Sequence, residues 1–219
     1  GLRFTINHHN IQELENIFDF IEEENINRVC FYHLVYSGRG NQMMDEDVTA
    51  EESRRAMDII IRRTRDFEER GLKKEILTVD NHCDGVYMYL KALQEGKDEL
   101  AQQIKKYISM NGGNRSGMAF AEVDPLGYVH PDQFTQHHTF GNVRERKFGD
   151  IWQDTTNPIM AGLKDRKPLL KGRCSKCKFL DNCNGNFRTR AEARTGDFWE
   201  SDPSCYLTDE EIGITGAEK

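Results

Sequence analysis

The feature that most constrains this chain is a set of four cysteines in its last quarter, spaced C-x2-C-x5-C-x21-C: Cys174, Cys177, Cys183 and Cys205. Four thiolates on short loops are what a tetrahedral metal ion or an iron-sulfur cluster requires. The segment that carries them has few apolar residues, so burial alone would not fold it, and ligation has to supply folding free energy. The sequence therefore predicts a metal centre here.

The spacing favours an iron-sulfur cluster over zinc. Structural zinc sites usually pair their ligands on two short loops, whereas here three cysteines are local and the fourth is distant. A zinc knuckle in a non-enzymatic scaffold module stays open as the alternative. The remaining cysteines, Cys30 and Cys83, are isolated in sequence. Isolated cysteines are more often buried packing groups than ligands, so neither receives a role.

Composition narrows the class of partner. The chain has 219 residues and a formal charge of −7, which argues against binding to nucleic acid or to anionic lipid. No apolar run approaches the roughly 20 residues that cross a bilayer. We expect a cytoplasmic protein, where clustered cysteines are ligands rather than disulfides. The chain opens directly on a strand-like pattern without Met, so we expect a fragment of a longer protein.

Hydrophobic periodicity predicts alternating strands and helices in the first half. Residues 2–6 alternate as a strand, residues 11–21 repeat as an amphipathic helix capped by Asn10, and residues 29–36 form a continuous β-rich run. This order is a βαβ unit of a parallel sheet. Thr49 caps a second helix, and a short strand at 76–82 follows it.

The second half has a different pattern. A helix over 85–110 breaks near Gly96, and residues 118–134 form a hairpin around the turn Asp124-Pro125-Leu126-Gly127. Short helical patches follow at 148–154 and 158–163. A small β module holding the cysteines is therefore expected after residue 112.

Several sequence blocks together carry a family resemblance. They are GLRFTIN, VCFYHLVYSGRG, LTVDNH-x-DG, VHPDQF, GNVRER, GNFR-x-RAEA-x-TGD and DP-x-CYLTDEE. Over essentially the whole chain they resemble radical S-adenosylmethionine (AdoMet) enzymes that modify haem precursors. The resemblance implies an α/β fold: the C-terminal part of a partial (β/α)6 barrel, followed by a small α+β SPASM or Twitch module. Residues 1–45 would be the last barrel strands, 46–112 a helical connection, and 113–219 the auxiliary cluster domain.

The resemblance also specifies the clusters. Full SPASM modules hold two auxiliary clusters, but two ligand positions of the first are occupied here by Phe187 and Asp132. All ligands of the second are present, so the four cysteines are expected to hold one 4Fe-4S cluster that passes electrons or helps to seat substrate. The catalytic motif C-x3-C-x2-C does not occur in the 219 residues. AdoMet and a second 4Fe-4S cluster would belong to the full-length protein, and the chain alone would be inactive.

The implied reaction removes acetate side chains from 12,18-didecarboxysiroheme to give Fe-coproporphyrin III. The alternative within the family acts on propionate side chains in haem d1 biosynthesis. The expected partners are an iron tetrapyrrole substrate and an electron donor, with no nucleic acid and no membrane. The catalytic residues remain unknown.

Two groups of further site residues are predicted. Asn7, Ser37 and Arg39 follow predicted strands, where the family approaches AdoMet. On the substrate side, His130 is expected to ligate the tetrapyrrole iron, and Arg144 to pair with carboxylates. Asp132 and Gln133 lie in the same VHPDQF segment and complete the predicted substrate set.

Overall fold

A parallel sheet forms the first part of the molecule. In the computed structural model, which describes residues 1–214, three parallel strands pair in the order β1-β2-β3. Helices connect them, because parallel neighbours need a crossover. The elements in chain order are β1 (Leu2–Thr5), α1 (Leu14–Glu23), β2 (Arg28–Tyr32), α2 (Ala50–Glu69) and β3 (Glu75–Val79). The expected α/β class and βαβ unit are confirmed.

Residues 46–112, predicted as a helical connection, also contribute β3 to this sheet. Two helices follow the strand, α3 (Cys83–Gln94) and α4 (Asp98–Asn111). They break at Gly96, where the sequence predicted it, with a left-handed φ of 68°. The division of the chain at residues 45 and 112 stays a prediction. For description, we call residues 1–112 the sheet part and residues 113–214 the cysteine part.

Aromatic rings fill the core between the sheet and its helices. Phe18 of α1 lies between Phe31 of β2 and Phe67 of α2, with ring centroids 5.2 and 5.9 Å apart. All three side chains are almost fully buried. Each contributes about 1.5–3 kcal/mol by burial, so this cluster fixes how both helices cover the sheet.

The two predicted helix caps have opposite outcomes. Thr49 forms a capping box with Glu52, as expected. The cap at Asn10 is wrong, since a 3-10 turn at Ile11–Glu13 precedes α1. The Asn10 side chain instead accepts from the Asn7 N–H and donates to the Thr5 carbonyl, both at 2.9 Å. It closes the β1–α1 loop and makes no side-chain cap hydrogen bond to the helix.

The cysteine part consists of short elements. Its strands are β4 (Glu122–Val123) and β5 (Val129–His130), and its helices are α5 (Phe148–Gln153), α6 (Pro158–Lys164), α7 (Leu180–Cys183), α8 (Arg188–Thr195) and α9 (Asp209–Ile212). The predicted hairpin and both helical patches are confirmed, although the hairpin is short. Across residues 1–214, no helix is long and apolar enough to cross a membrane.

Buried polar contacts join the two parts. Asp84 of α3 accepts a hydrogen bond from the Tyr206 hydroxyl at 2.7 Å and contacts His33 Nε2 at 3.0 Å, with all three side chains buried. Tyr206 comes from the cysteine part, whereas His33 follows β2. The last predicted ligand, Cys205, is thus held beside the sheet part.

Candidate functional site

The four predicted ligand cysteines surround one cavity between the two parts. Cys174 lies in a 3-10 turn, Cys177 follows it, Cys183 ends α7, and Cys205 lies between α8 and α9. The cavity among them has a volume of about 30 Å³. Cys83, at the start of α3, lines the same cavity. The structure thus brings together all four sulfurs that the sequence grouped, and adds a fifth.

A tight turn directs the chain away from the cavity after Cys183. Asn184, Gly185 and Asn186 all have left-handed φ angles, of 53°, 77° and 58°. Asparagine and glycine are the residues that adopt this conformation most readily. A Cβ on Gly185 would lie 2.8 Å from a Leu170 methyl group. The Asn-Gly-Asn sequence therefore shapes one wall of the cysteine cavity.

Backbone N–H groups near the four sulfurs favour their thiolate forms. Those of Asp202, Gly185 and Leu207 act on the pKa of Cys174, Cys183 and Cys205, and that of Phe179 donates a hydrogen bond to Cys177 Sγ. The Phe179 N to Cys177 Sγ distance is 3.3 Å. Hydrogen bonds to cysteine sulfur stabilise the thiolate form and are one determinant of the reduction potential of an iron-sulfur cluster.

Burial acts on the protonation of these thiols. It raises the pKa of Cys174, Cys177 and Cys183 above the ordinary thiol value. Cys205 differs, because a hydrogen bond with Cys83 lowers the pKa of Cys205. Without a metal, most of the set is protonated at neutral pH. A metal or cluster would have to displace those protons, as thiolate ligation generally does.

Two buried arginines near the cysteine cavity bear on whether it suits an anionic cluster. Arg166 and Arg188 are nearly fully buried, form no ion pair within residues 1–214, and leave their Nε atoms without a hydrogen-bond partner there. Their other donors reach only neutral oxygens, such as the Asn114 side chain at 3.1 Å and the Phe198 carbonyl at 3.3 Å. Burial lowers the pKa of Arg166 to about 10.

An uncompensated buried charge is costly. Asp132 near Arg166 and Asp202 near Arg188 balance part of this charge. The thiol of Cys183 lies near both arginines, and that of Cys174 lies near Arg188. A cluster ligated by four thiolates carries net negative charge and would balance them. The donor set and its cationic surroundings therefore fit an iron-sulfur cluster, held by Cys174, Cys177, Cys183 and Cys205.

A groove of about 1140 Å³ runs along the edge of β3 that has no strand partner in the described chain. Its walls come from α3, α4 and the segment 113–134. Apolar side chains line it although they are exposed: Met88, Tyr107, Met110 and Phe120. Small-molecule sites usually measure about 300–1,000 Å³ and are mostly apolar with few polar groups. This groove is large enough for a bulky, flat ligand.

The predicted substrate residues separate into two places. Asp132 and Gln133 line the groove, but the Asp132 carboxylate already accepts from Ser116, Thr135 and the Phe134 N–H. Its oxygens hold the loop in place. Gln133 is exposed.

His130 and Arg144 do not line the groove. His130 is 4% exposed, with Nδ1 2.9 Å from the His138 carbonyl and Nε2 3.5 Å from Asp124 Oδ2. Arg144 donates to the Pro125 carbonyl at 3.3 Å, beside the hairpin turn. Substrate contact by either residue stays a prediction.

The three residues predicted to approach AdoMet follow the sheet strands as expected. Asn7 lies after β1, and its Oδ1 accepts from the His9 N–H at 2.9 Å. Ser37 lies after β2 and donates to the Phe134 carbonyl at 2.8 Å, which links it to the groove wall. Arg39 is exposed at the start of the 3-10 segment Gly38–Glu46. Their contact with AdoMet stays a prediction.

Sequence reasoning missed two residues at these sites. His82 lines the groove, and Cys83 lines the cysteine cavity from the next position in the chain. The available signal was their place directly after a strand of a parallel sheet, where ligands commonly bind. The sequence alone did not show that the two cavities meet at this strand end.

Comparisons with known proteins also indicate an iron-sulfur cluster-binding domain. Residues 116–178 match the SPASM family, an iron-sulfur cluster-binding domain. The chain is 56% identical over 216 residues to Fe-coproporphyrin III synthase of Methanosarcina barkeri, covering 97% of this chain and 54% of that protein. It is 39% identical over 214 residues to pre-heme d1 synthase of Dinoroseobacter shibae, covering 97% of this chain and 53% of that protein. The chain thus spans about half the length of the curated relatives it matches.

Solved structures show the fold. The chain superposes on anSMEcpe with bound AdoMet with a TM-score of 0.61 at 13% identity, covering 97% of this chain and 51% of that structure. A complex of the same protein with AdoMet and a Cp18Cys peptide gives a TM-score of 0.59 at 14% identity, covering 97% of this chain and 54% of that structure. This likeness in fold to AdoMet-binding proteins confirms the predicted α/β fold class.

Proposed function

We propose that this chain belongs to the radical SAM proteins with a SPASM domain, and that it forms the auxiliary-cluster part of an iron tetrapyrrole-modifying enzyme of haem biosynthesis. The main support is the single cavity lined by all four cysteines, beside two buried arginines that form no ion pair within residues 1–214. When bound there, a single 4Fe-4S cluster would supply one-electron chemistry or help to seat substrate.

The proposed reaction is the removal of acetate side chains from 12,18-didecarboxysiroheme to give Fe-coproporphyrin III. Its support is the 56% identity to a protein named Fe-coproporphyrin III synthase, against 39% for a pre-heme d1 synthase. The large groove beside the cysteine cavity offers a place for the macrocycle. The residues of its walls would orient the ring and exclude water, while the hard chemistry belongs to the cofactors.

Radical generation is proposed to lie outside these 219 residues. The C-x3-C-x2-C motif is absent from them, and the chain spans about half of each relative. The catalytic cluster and the main part of the AdoMet site would come from the other half. Asn7, Ser37 and Arg39 are proposed to complete that site, since all three lie beyond the carboxyl ends of β1 and β2. We expect the 219 residues alone to be catalytically inactive.

The test is an anaerobic assay of the protein containing this chain, with AdoMet, reductant and 12,18-didecarboxysiroheme. We expect mass spectrometry to detect Fe-coproporphyrin III. A product that has lost propionate chains and kept its acetates would favour the haem d1 reaction instead. If cluster-loaded protein leaves the substrate unchanged while it cleaves AdoMet, the proposed reaction is wrong.

A further inference from the structure

The groove along β3 has one imidazole in its wall. His82 follows β3 directly, between Asn81 and Cys83, and only partly reaches solvent. Its ring stacks on Phe187, with centroids 5.8 Å apart and planes 15° from parallel. Its backbone N–H donates to Asn186 Oδ1 at 2.9 Å. Ring and backbone are therefore both held in place, as a ligand to a bound molecule needs to be.

In the part of the chain that the structure describes, neither nitrogen of the His82 ring has a hydrogen-bond partner, and this distinguishes His82 from the other histidines. Six of the seven have an oxygen partner within 3.6 Å: His8, His9, His33, His130, His137 and His138. Within residues 1–214, the His82 ring has no such partner. A half-buried imidazole without a protein partner is available to something that enters the groove.

The groove around His82 suits a metallated macrocycle. Exposed Tyr107, Met110 and Phe120 offer apolar surface for a flat ring, and Arg115 offers a guanidinium that is unpaired in the described chain. Such a guanidinium can bind the carboxylates that ring substituents carry. A tetrapyrrole iron in the same space needs an axial ligand, and imidazole is a common one.

We propose that His82 is the axial ligand to the iron of a tetrapyrrole bound in the β3 groove. This inference rests on the proposed function for the class of ligand. Burial, followed by the nearby Arg190 charge, lowers the pKa of His82 to about 4, which leaves the imidazole neutral and its lone pair available at neutral pH. The geometry assigns to His82 the role that the sequence suggested for His130.

The experiment is an anaerobic titration of the cluster-loaded protein with Fe(III)-coproporphyrin as probe, followed in the Soret region after the cluster spectrum is subtracted. The variants are His82→Ala and His130→Ala, each checked for unchanged iron content and circular dichroism. We expect the wild type and His130→Ala to give the same imidazole-ligated spectrum, and His82→Ala to lose it. Added free imidazole should restore that spectrum to His82→Ala.

Two results would overturn the assignment. One is an unchanged spectrum in His82→Ala, and the other is loss of the spectrum in His130→Ala alone. Either would leave the proposed function standing, because the tetrapyrrole would still bind. Failure of the wild type to bind any iron tetrapyrrole would instead contradict the proposed function, and with it the role of His82. If His82→Ala does not fold, His82→Gln takes its place, because it keeps the polarity and approximate size of the side chain.

Discussion

The ion pair between Arg190 and Asp202 offers a direct test of how the two parts are joined. Both side chains are 0% exposed, with Arg190 Nη2 2.8 Å from Asp202 Oδ2. Arg190 also donates to the Leu34 and Asp80 carbonyls at 3.2 and 2.8 Å, so it reaches the ends of β2 and β3. We predict that Asp202→Asn destabilises the protein strongly, because it leaves the buried guanidinium without its counter-charge.

The size of the expected loss in unfolding free energy follows from the burial of the Arg190–Asp202 pair. Removing one partner of a buried ion pair costs about 3–5 kcal/mol, against a total stability of about 5–15 kcal/mol for a domain. Asn keeps only one of the two oxygens that accept from the Phe187 and Ser204 N–H groups, so the loss of stability reports the missing charge together with one missing hydrogen bond. Urea denaturation followed by circular dichroism should show a midpoint lower by roughly 1–2 M.

The matched control is the exposed pair between Arg194 and Asp45. Its atoms are 3.0 Å apart, but the side chains are 50% and 90% exposed. Asp45→Asn should change the stability by less than about 1 kcal/mol, since exposed ion pairs contribute little. Equal effects of Asp202→Asn and Asp45→Asn would refute the account of the joint between the sheet part and the cysteine part.

Three further predictions follow from the cysteine cavity and the end of β3. Cys183→Ser should abolish most bound iron, whereas Cys30→Ser, outside the cavity, should retain it; iron analysis after anaerobic reconstitution measures both. Arg188→Met should lower the reduction potential of the cluster by removing a buried positive charge, and an unchanged potential in redox titration would count against that charge balance. Burial raises the pKa of Asp80 to about 6, so its protonated form is favoured in the folded state, and stability should fall as pH rises from about 4 to 6. Asp80→Asn tolerates the left-handed φ of 68° and should remove this fall, gaining up to about 3 kcal/mol at pH 7, as thermal unfolding over that pH range would show.

Local sequence patterns were sufficient to predict the main strands and helices of the sheet part. The alternation in β1, the apolar spacing of α1 and the cap at Thr49 are set by residues close together in sequence. The predicted cap at Asn10 was wrong, because the Asn10 side chain donates a hydrogen bond across the loop to the Thr5 carbonyl. The spacing of apolar residues, which predicted the helix, does not predict competing contacts of this kind.

The buried charges of the cysteine part could not be predicted in this way. The helix from Arg188 to Thr195 is rich in arginine, a residue that is ordinarily exposed, yet Arg188 and Arg190 are almost fully buried. Their burial depends on backbone carbonyls and on Asp202, which only the folded chain places beside them. The cysteines were found because ligand spacing is local, whereas His82 was missed because its groove is built from distant elements.

The central claim is that Cys174, Cys177, Cys183 and Cys205 hold one iron-sulfur cluster. Anaerobic reconstitution followed by iron, sulfide and zinc analysis, with EPR of the reduced sample, tests it most directly. The account predicts about four irons and four sulfides per chain, and the EPR signal of a reduced 4Fe-4S cluster. A colourless protein that retains one zinc ion under the same conditions would contradict it.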